Sequence, residues 1–424
     1  MPQTPAAGPR TAPAPARTDR DPGHHRFPAR RYGAGFWTVA AVFLTAMAFS
    51  TVPTPLYPLY QAHDRFSTFT VTVVFAVYAV GVLTSLLLAG HVSDWLGRKK
   101  IMMSALVLEL LAAALFLATP SLPVLIAARL ITGLGVGLLT ATATAYLHEL
   151  HSAHRPGAST RRFEVASSAV NIGGLGLGPI AAGVLAQYLV APLRLPYAVF
   201  VVLLLAGAAA IALTPETVRK PDRRPAYRPQ RVGAGHGDRG YLAAAAAGFT
   251  SMAVFGLFTS VVPGFVGVTL HHPSHALTGL VVFAVFGAAA AAQTGTGRLG
   301  ARTRWYVGLL AQATGMAVLA VGVHLADLPV FLLAGIIAGV GAGVLFKSAV
   351  EYVAGAAAPA QRGEALAGLF LASYLGLALL PVGLGVASRS MSLSAATTWF
   401  TAVVLALLAA VAVLTRGRGP AAGR

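Results

Sequence analysis

The chain has 424 residues, of which 56% are hydrophobic and only 10% charged, with a formal net charge of +18 and a mean hydropathy of +0.71. A soluble domain carries about 25% charged residues, so the composition excludes a water-soluble globular protein and points to one that crosses a membrane many times. The positive charge is scattered between apolar runs and forms no single face, which argues against nucleic-acid binding, and the lack of cysteine excludes disulfides and thiolate metal sites.

Residues 1–35 are rich in Pro, Ala and Arg without apolar periodicity and read as a disordered tail. Arg30 and Arg31 anchor the first helix rather than head a twin-arginine signal, because many spans follow and no cleavage site stands out. A spanning helix needs about 20 apolar residues. Twelve such runs are predicted: 36–56, 70–92, 101–119, 123–146, 165–188, 196–214, 242–264, 276–296, 305–325, 329–353, 363–387 and 394–414. The first ends in Pro53, Pro55 and Pro58, which are expected to break the helix near the outer mouth. Tyr57 and Tyr60 beside them suit an aromatic interface belt. A basic, Pro-rich linker at 215–240 divides six helices (36–214) from six (241–414), and 415–424 forms a short tail.

Orientation follows from charge. With the N-terminus inside, 26 Arg and Lys fall on the cytoplasmic side and three (Arg65, Arg194, Arg389) outside, while Arg129 and Lys347 lie within spans. That asymmetry predicts a multi-pass protein of the cell membrane with both termini and the 215–240 linker in the cytoplasm.

The two sets of helices repeat one another. Gly133, Gly135 and Gly137 of helix 4 match Gly339, Gly341 and Gly343 of helix 10, and Tyr146 falls on Tyr352. Gly174, Pro179 and Gly183 of helix 5 fall on Gly376, Pro381 and Gly385 of helix 11. Between helices 2 and 3 lies the charged hinge Gly90-His91-Val92-Ser93-Asp94-Trp95-Leu96-Gly97-Arg98-Lys99-Lys100. Glycine suits a point where helix ends nearly touch, and an acid at the edge of hydrocarbon needs a partner.

The order Gly90, Asp94, Gly97, Arg98, Lys99 resembles the helix 2–3 loop of the major facilitator superfamily, and the duplicated halves are similar to that family's parallel repeats. The resemblance implies an all-α fold of twelve transmembrane helices in two pseudo-symmetric six-helix bundles, with the substrate site between them. It implies that Glu149 pairs with Arg98 when the cavity faces outward, and that Asp94 docks on the N-terminus of helix 11, near Gly363, when the cytoplasmic side is shut. Arg129 followed by Gly133 and Gly137 resembles the family's second motif; an Arg in hydrocarbon costs about 2.5–3.5 kcal/mol on insertion scales, so it should face the interior and find a partner. Gly174, Gly178, Pro179 and Gly183 resemble the helix 5 motif of proton-linked antiporters, with Ala182 in place of one Gly.

Three further groups are candidates for substrate or proton binding. Lys347 and Glu351 share a face of helix 10, where they either neutralise each other or line the cavity. Glu109 in helix 3 can carry a proton in hydrocarbon or serve structure, and helix 1 offers no acid. Gly295-Thr296-Gly297-Arg298-Leu299-Gly300 spells a dinucleotide fingerprint but follows an apolar helix rather than a strand; it reads as a degenerate copy of the 90–100 hinge, with Arg302 on Arg98. His148, His151 and His154, and His271, His272 and His275, read as solvated histidines at helix ends and in loops rather than metal ligands.

The resemblance therefore implies a secondary transporter and not an enzyme. The expected activity is export of a small, largely apolar compound in exchange for protons. Proton-linked uptake of a sugar or organic acid is the alternative, and an intramembrane enzyme the remote one. No cofactor, metal or catalytic residue is expected. The expected partners are a small-molecule substrate, protons and the bilayer, and the expected unit is a monomer.

Overall fold

Backbone groups in hydrocarbon must be satisfied within their own segment, and each of the twelve predicted runs is a helix. The structure, a computed structural model, describes residues 28–159, 161–218, 227–233, 238–359 and 361–416. The spanning helices are α1 (Ala29–Thr51), α2 (Thr68–Ala89), α3 (Arg98–Ala118), α4 (Leu122–His154), α5 (Arg161–Tyr188), α6 (Leu195–Leu213), α7 (Arg239–Ser260), α8 (His275–Gly295), α9 (Ala301–Leu325), α10 (Leu328–Ala356), α11 (Arg362–Ala387) and α12 (Leu393–Leu414). An even number of spans brings Pro28 and Arg416 to one face of the molecule, here the terminal face, together with the Asp94 hinge. Residues 1–27, 219–226, 234–237 and 417–424, which include most of the predicted tails and part of the linker, lie outside the described residues.

Three local expectations are corrected. The tail expected over 1–35 gives way to helix earlier: α1 begins at Ala29 behind Pro28, where Gly33 and Gly35 let its first turns pack on His154, Leu150 and Thr214. The prolines do not end the first span. They impose a 3₁₀ turn at Thr54–Leu56, and a short helix continues over Tyr57–Asp64. Tyr57 and Tyr60 are consequently buried inside the first bundle rather than at an interface. The Tyr60 hydroxyl bonds the Tyr197 hydroxyl at 3.1 Å, and Phe116 stacks on Tyr197. Asp64 then accepts from the backbone N–H of Leu122 at 2.6 Å, capping α4.

The two halves pack by the same contacts. Helices in lipid gain little from burying apolar surface against one another, so close approach at small residues holds them. A Cβ on Gly133 of α4 would lie 2.2 Å from the Tyr78 carbonyl oxygen of α2; its counterpart on Gly339 of α10 would lie 2.4 Å from that of Val285 in α8. Gly178 of α5 meets the Ala48 carbonyl of α1, as Gly376 of α11 meets that of Phe249 in α7. The halves meet in the same paired way. Gly183 of α5 lies on the His275 carbonyl of α8, and Gly385 of α11 lies on Thr72 of α2. Both contacts are at the face opposite the termini, where His275 Nδ1–H also donates to the Pro55 carbonyl at 3.0 Å and Gln187 accepts from the His275 N–H at 2.9 Å. That face is closed.

Adding a methyl group at such a crossing costs about 1–3 kcal/mol. We expect Gly133→Ala and Gly339→Ala each to lower the apparent melting temperature of the purified protein. Gly173→Ala, whose Cβ would meet nothing within 4 Å, should leave it unchanged.

Candidate functional site

Below the closed face the halves splay toward the terminal face and enclose a two-part cavity. The wide part, about 700 Å³, lies between α4 and α5 on one side and α8, α10 and α11 on the other, and reaches the terminal face at His148, Glu149, Phe163 and Glu351. It narrows past Thr140, Asn171, Ile172, Phe346, Phe370 and Tyr374 into an inner chamber of about 110 Å³. The chamber is walled by Phe75 and Tyr78 from the first half, Phe255 and Phe286 from the second, and Met47 and Met252. Phe255 and Phe286 stack with their centroids 4.7 Å apart. Apolar walls with a few polar groups are the usual make-up of a small-molecule site.

Arg129 is the one charged group lining the inner chamber among the described residues. It is buried, donates to the Ser50 carbonyl at 2.6 Å and sits over the Tyr78 ring, 4.4 Å from its centroid. Its interior placement is as expected for an intramembrane arginine. Glu109 lies on α3, outside the cavity lining, packed on Gly135 of α4. Both its carboxylate oxygens are buried without a hydrogen-bond partner, as is Arg129 Nε, and the two side chains interact electrostatically.

Lys347 and Glu351 both line the wide cavity, but they do not neutralise each other. Lys347 Nζ donates to the Gln293 carbonyl at 3.1 Å, while Glu351 is paired with Arg304 of α9. This pair joins the start of α9 to α10, as Arg98–Glu149 joins the start of α3 to α4, but at other positions of the repeat: Tyr146 matches Tyr352, so Glu351 falls on Ala145.

The hinge between α2 and α3 forms a dense polar cluster on the terminal face. Arg98, buried, gives NH2 to Glu149 Oε1 at 2.8 Å and NH1 to Asp94 Oδ1 at 2.5 Å and Ser93 Oγ at 2.6 Å. Asp94 remains 62% exposed. Glu216, which follows α6, accepts from the backbone N–H groups of Arg98 and Lys99, each at 3.1 Å, and thereby answers two orphan donors at the start of α3. The Thr217 hydroxyl donates to Glu149 at 2.5 Å. Gly97, at φ 103°, presses against Glu216 and has no room for a side chain. At Gly90, by contrast, the nearest atoms belong to Leu86 of the preceding turn, and those at Gly97 are the Glu216 carboxylate, so at neither glycine is the close neighbour another helix end. Glu216 is a residue that sequence reasoning missed. Its signal was an isolated acid opening a strongly basic linker.

The linker itself crosses the terminal face. Gln230 N–H donates to the Leu87 carbonyl at the end of α2, and Gly233 N–H to the Glu364 carbonyl at the start of α11. Of the three histidines of α4, His148 is exposed at the cavity mouth, whereas the other two are held. His151 is buried and bonds the Ser159 carbonyl at 3.2 Å, and His154 bonds that of Ala29 at 2.9 Å. Packing against α1 carries α4 two turns beyond its apolar run. Among the described residues no three His, Cys, Asp or Glu side chains gather as a metal site.

Arg98 and Glu149 share a guarded, partly buried site, so a thermal double-mutant cycle of Arg98→Ala and Glu149→Ala should return a coupling of about 0.5–3 kcal/mol. Additivity would show that the pair is incidental.

A sequence profile of the Major Facilitator Superfamily matches residues 38–346. No curated protein matches the sequence. Among solved structures the fold is similar to the human organic anion transporter MFSD10 (TETRAN), at TM-score 0.65 and 18% identity, covering 91% of this chain and 100% of that one. It is also similar to a mutant of the nucleoside transporter NupG, at TM-score 0.66 and 12% identity, covering 90% of this chain and 100% of that one. The profile match, the twelve helices in two repeated halves and the cavity between them place the chain among the transporters of the Major Facilitator Superfamily.

Proposed function

We propose that this transporter exports a small, largely apolar organic compound from the cytoplasm in exchange for protons, by alternating access of the central cavity. The observation that carries the reading is the aromatic inner chamber, placed between the halves and open to one face only. The terminal face is cytoplasmic on the charge asymmetry of the loops, so the cavity here is inward-open. The glycine and proline motif of α5 supports exchange over uptake. Glu109 is the proton carrier in this reading. Protonated, it leaves Arg129 on the Ser50 carbonyl. Ionised, it draws Arg129 away from the chamber. The charged or titratable groups facing it are Arg129 and Tyr78.

In inverted vesicles acidified inside, members of a panel of apolar compounds should accumulate, and a protonophore should abolish the accumulation. Glu109→Gln should retain binding and lose the dependence on the proton gradient. Accumulation unchanged by the protonophore would refute proton exchange.

Asp94 acts as a latch in the same reading. With the terminal face open it holds Arg98; on closure it moves to the first turn of α11, where Gln230 now lies against Gly363. A carboxylate at a helix N-terminus gains about 1–2 kcal/mol in a partly buried setting, so Asp94→Asn should favour the inward-open population by roughly 5–30-fold. Normal insertion, greatly reduced transport and increased labelling of Gly363→Cys are the expected results. Wild-type transport in Asp94→Asn would show that the hinge only sets topology.

A further inference from the structure

Two carboxylates and one lysine share the wide cavity, and their partners differ. Glu149 is held by Arg98, and Glu351 by Arg304. Lys347 has no carboxylate within ion-pair distance among the described residues; its hydrogen bond is to the Gln293 carbonyl. That carbonyl belongs to the last turn of α8, where a cation is favoured, so part of the lysine's role is to close that helix end. It uses one of three ammonium protons and leaves two to the cavity. The residue before it, Phe346, lines both the wide cavity and the inner chamber. An uncompensated cation therefore stands at the rim of an aromatic chamber, at a depth where charge is costly without a counter-ion.

We propose that the transported compound is amphipathic with one anionic group, and that Lys347 binds this group while the apolar body enters the aromatic chamber. The proposal rests on reading the cavity as the substrate site. A cationic compound would meet Lys347 and Arg129 with no free acid to receive it. A sugar would place its hydroxyls against Phe255, Phe286 and Met252. A carboxylate or sulfonate gains a charge-assisted bond from Lys347, and its hydrocarbon portion is matched by the chamber walls.

The test is equilibrium binding of three matched series, from phenylacetate to phenyloctanoate, their amides and the corresponding amines, to the full-length protein purified in detergent. Wild type should bind the best carboxylate at least about tenfold tighter than its amide. Lys347→Gln should remove the preference without weakening amide binding; Lys347→Arg should keep it. Monodisperse Lys347→Gln protein confirms that the fold survives, and Lys347→Met, which also removes the charge, takes its place if it does not. Equal or better binding of amides or amines, or a carboxylate preference that survives Lys347→Gln, would overturn the assignment and leave the cavity as substrate site. Failure of all three series to bind would overturn the chamber as substrate site, and the proposal with it.

Discussion

Backbone-to-backbone contact at glycine is the constraint on which the rest of the structure depends. In a bilayer, lipid tails compete equally with Leu and Val for apolar surface, so helices associate where small residues let main chains touch. Here those contacts fall into two classes. Within each half, α2 meets α4 at Gly133 and α8 meets α10 at Gly339; between halves, α5 meets α8 at Gly183 and α11 meets α2 at Gly385. The first class brings the helices within each bundle into main-chain contact. The second holds the units together from the closed face inward, and the cavity is the space left where the crossing helices diverge.

Charge is distributed on the same plan. Among the described residues an Arg–Glu pair joins two helices of each half at the terminal face, Arg98–Glu149 and Arg304–Glu351. The first half adds Asp94, Glu216 and Thr217 around its arginine, whereas Gly297 and Arg298 leave the second copy without the acid. A duplicated scaffold has thus become electrostatically unequal. The acid of the first hinge stays mostly exposed while it holds Arg98. The linker is bonded to the end of α2 and the start of α11.

Much of this was legible in the sequence because its causes are local. Apolar runs long enough to cross a bilayer specified the helices. The glycine offsets revealed the repeat, since a Gly that accepts a neighbouring carbonyl in one half does so in the other. What was not legible depended on three-dimensional placement. Phe255, Phe286 and Phe346 face a cavity, yet in helices apolar on every side they cannot be told from residues facing lipid. Tyr57 and Tyr60 resembled interface residues because the prolines before them suggested a helix end, but the helix turned and continued. Lys347 and Glu351 satisfied helical spacing for a pair, and a better-placed arginine on α9 took the acid. Glu216 is far in sequence from the helix start it caps.

Alternating access requires the two halves to rock about the cavity, exchanging the closed face for the open one. The chain has no native cysteine, so paired labels can be placed without removing any residue. Double electron–electron resonance between Ala145→Cys and Val350→Cys reports the terminal face, and between Tyr188→Cys and His272→Cys the opposite face. Rocking gives two populations in liposomes, in which the first distance is long when the second is short and the reverse, with their ratio moved by substrate and by pH. Distances that stay fixed, or that lengthen and shorten together, would contradict it.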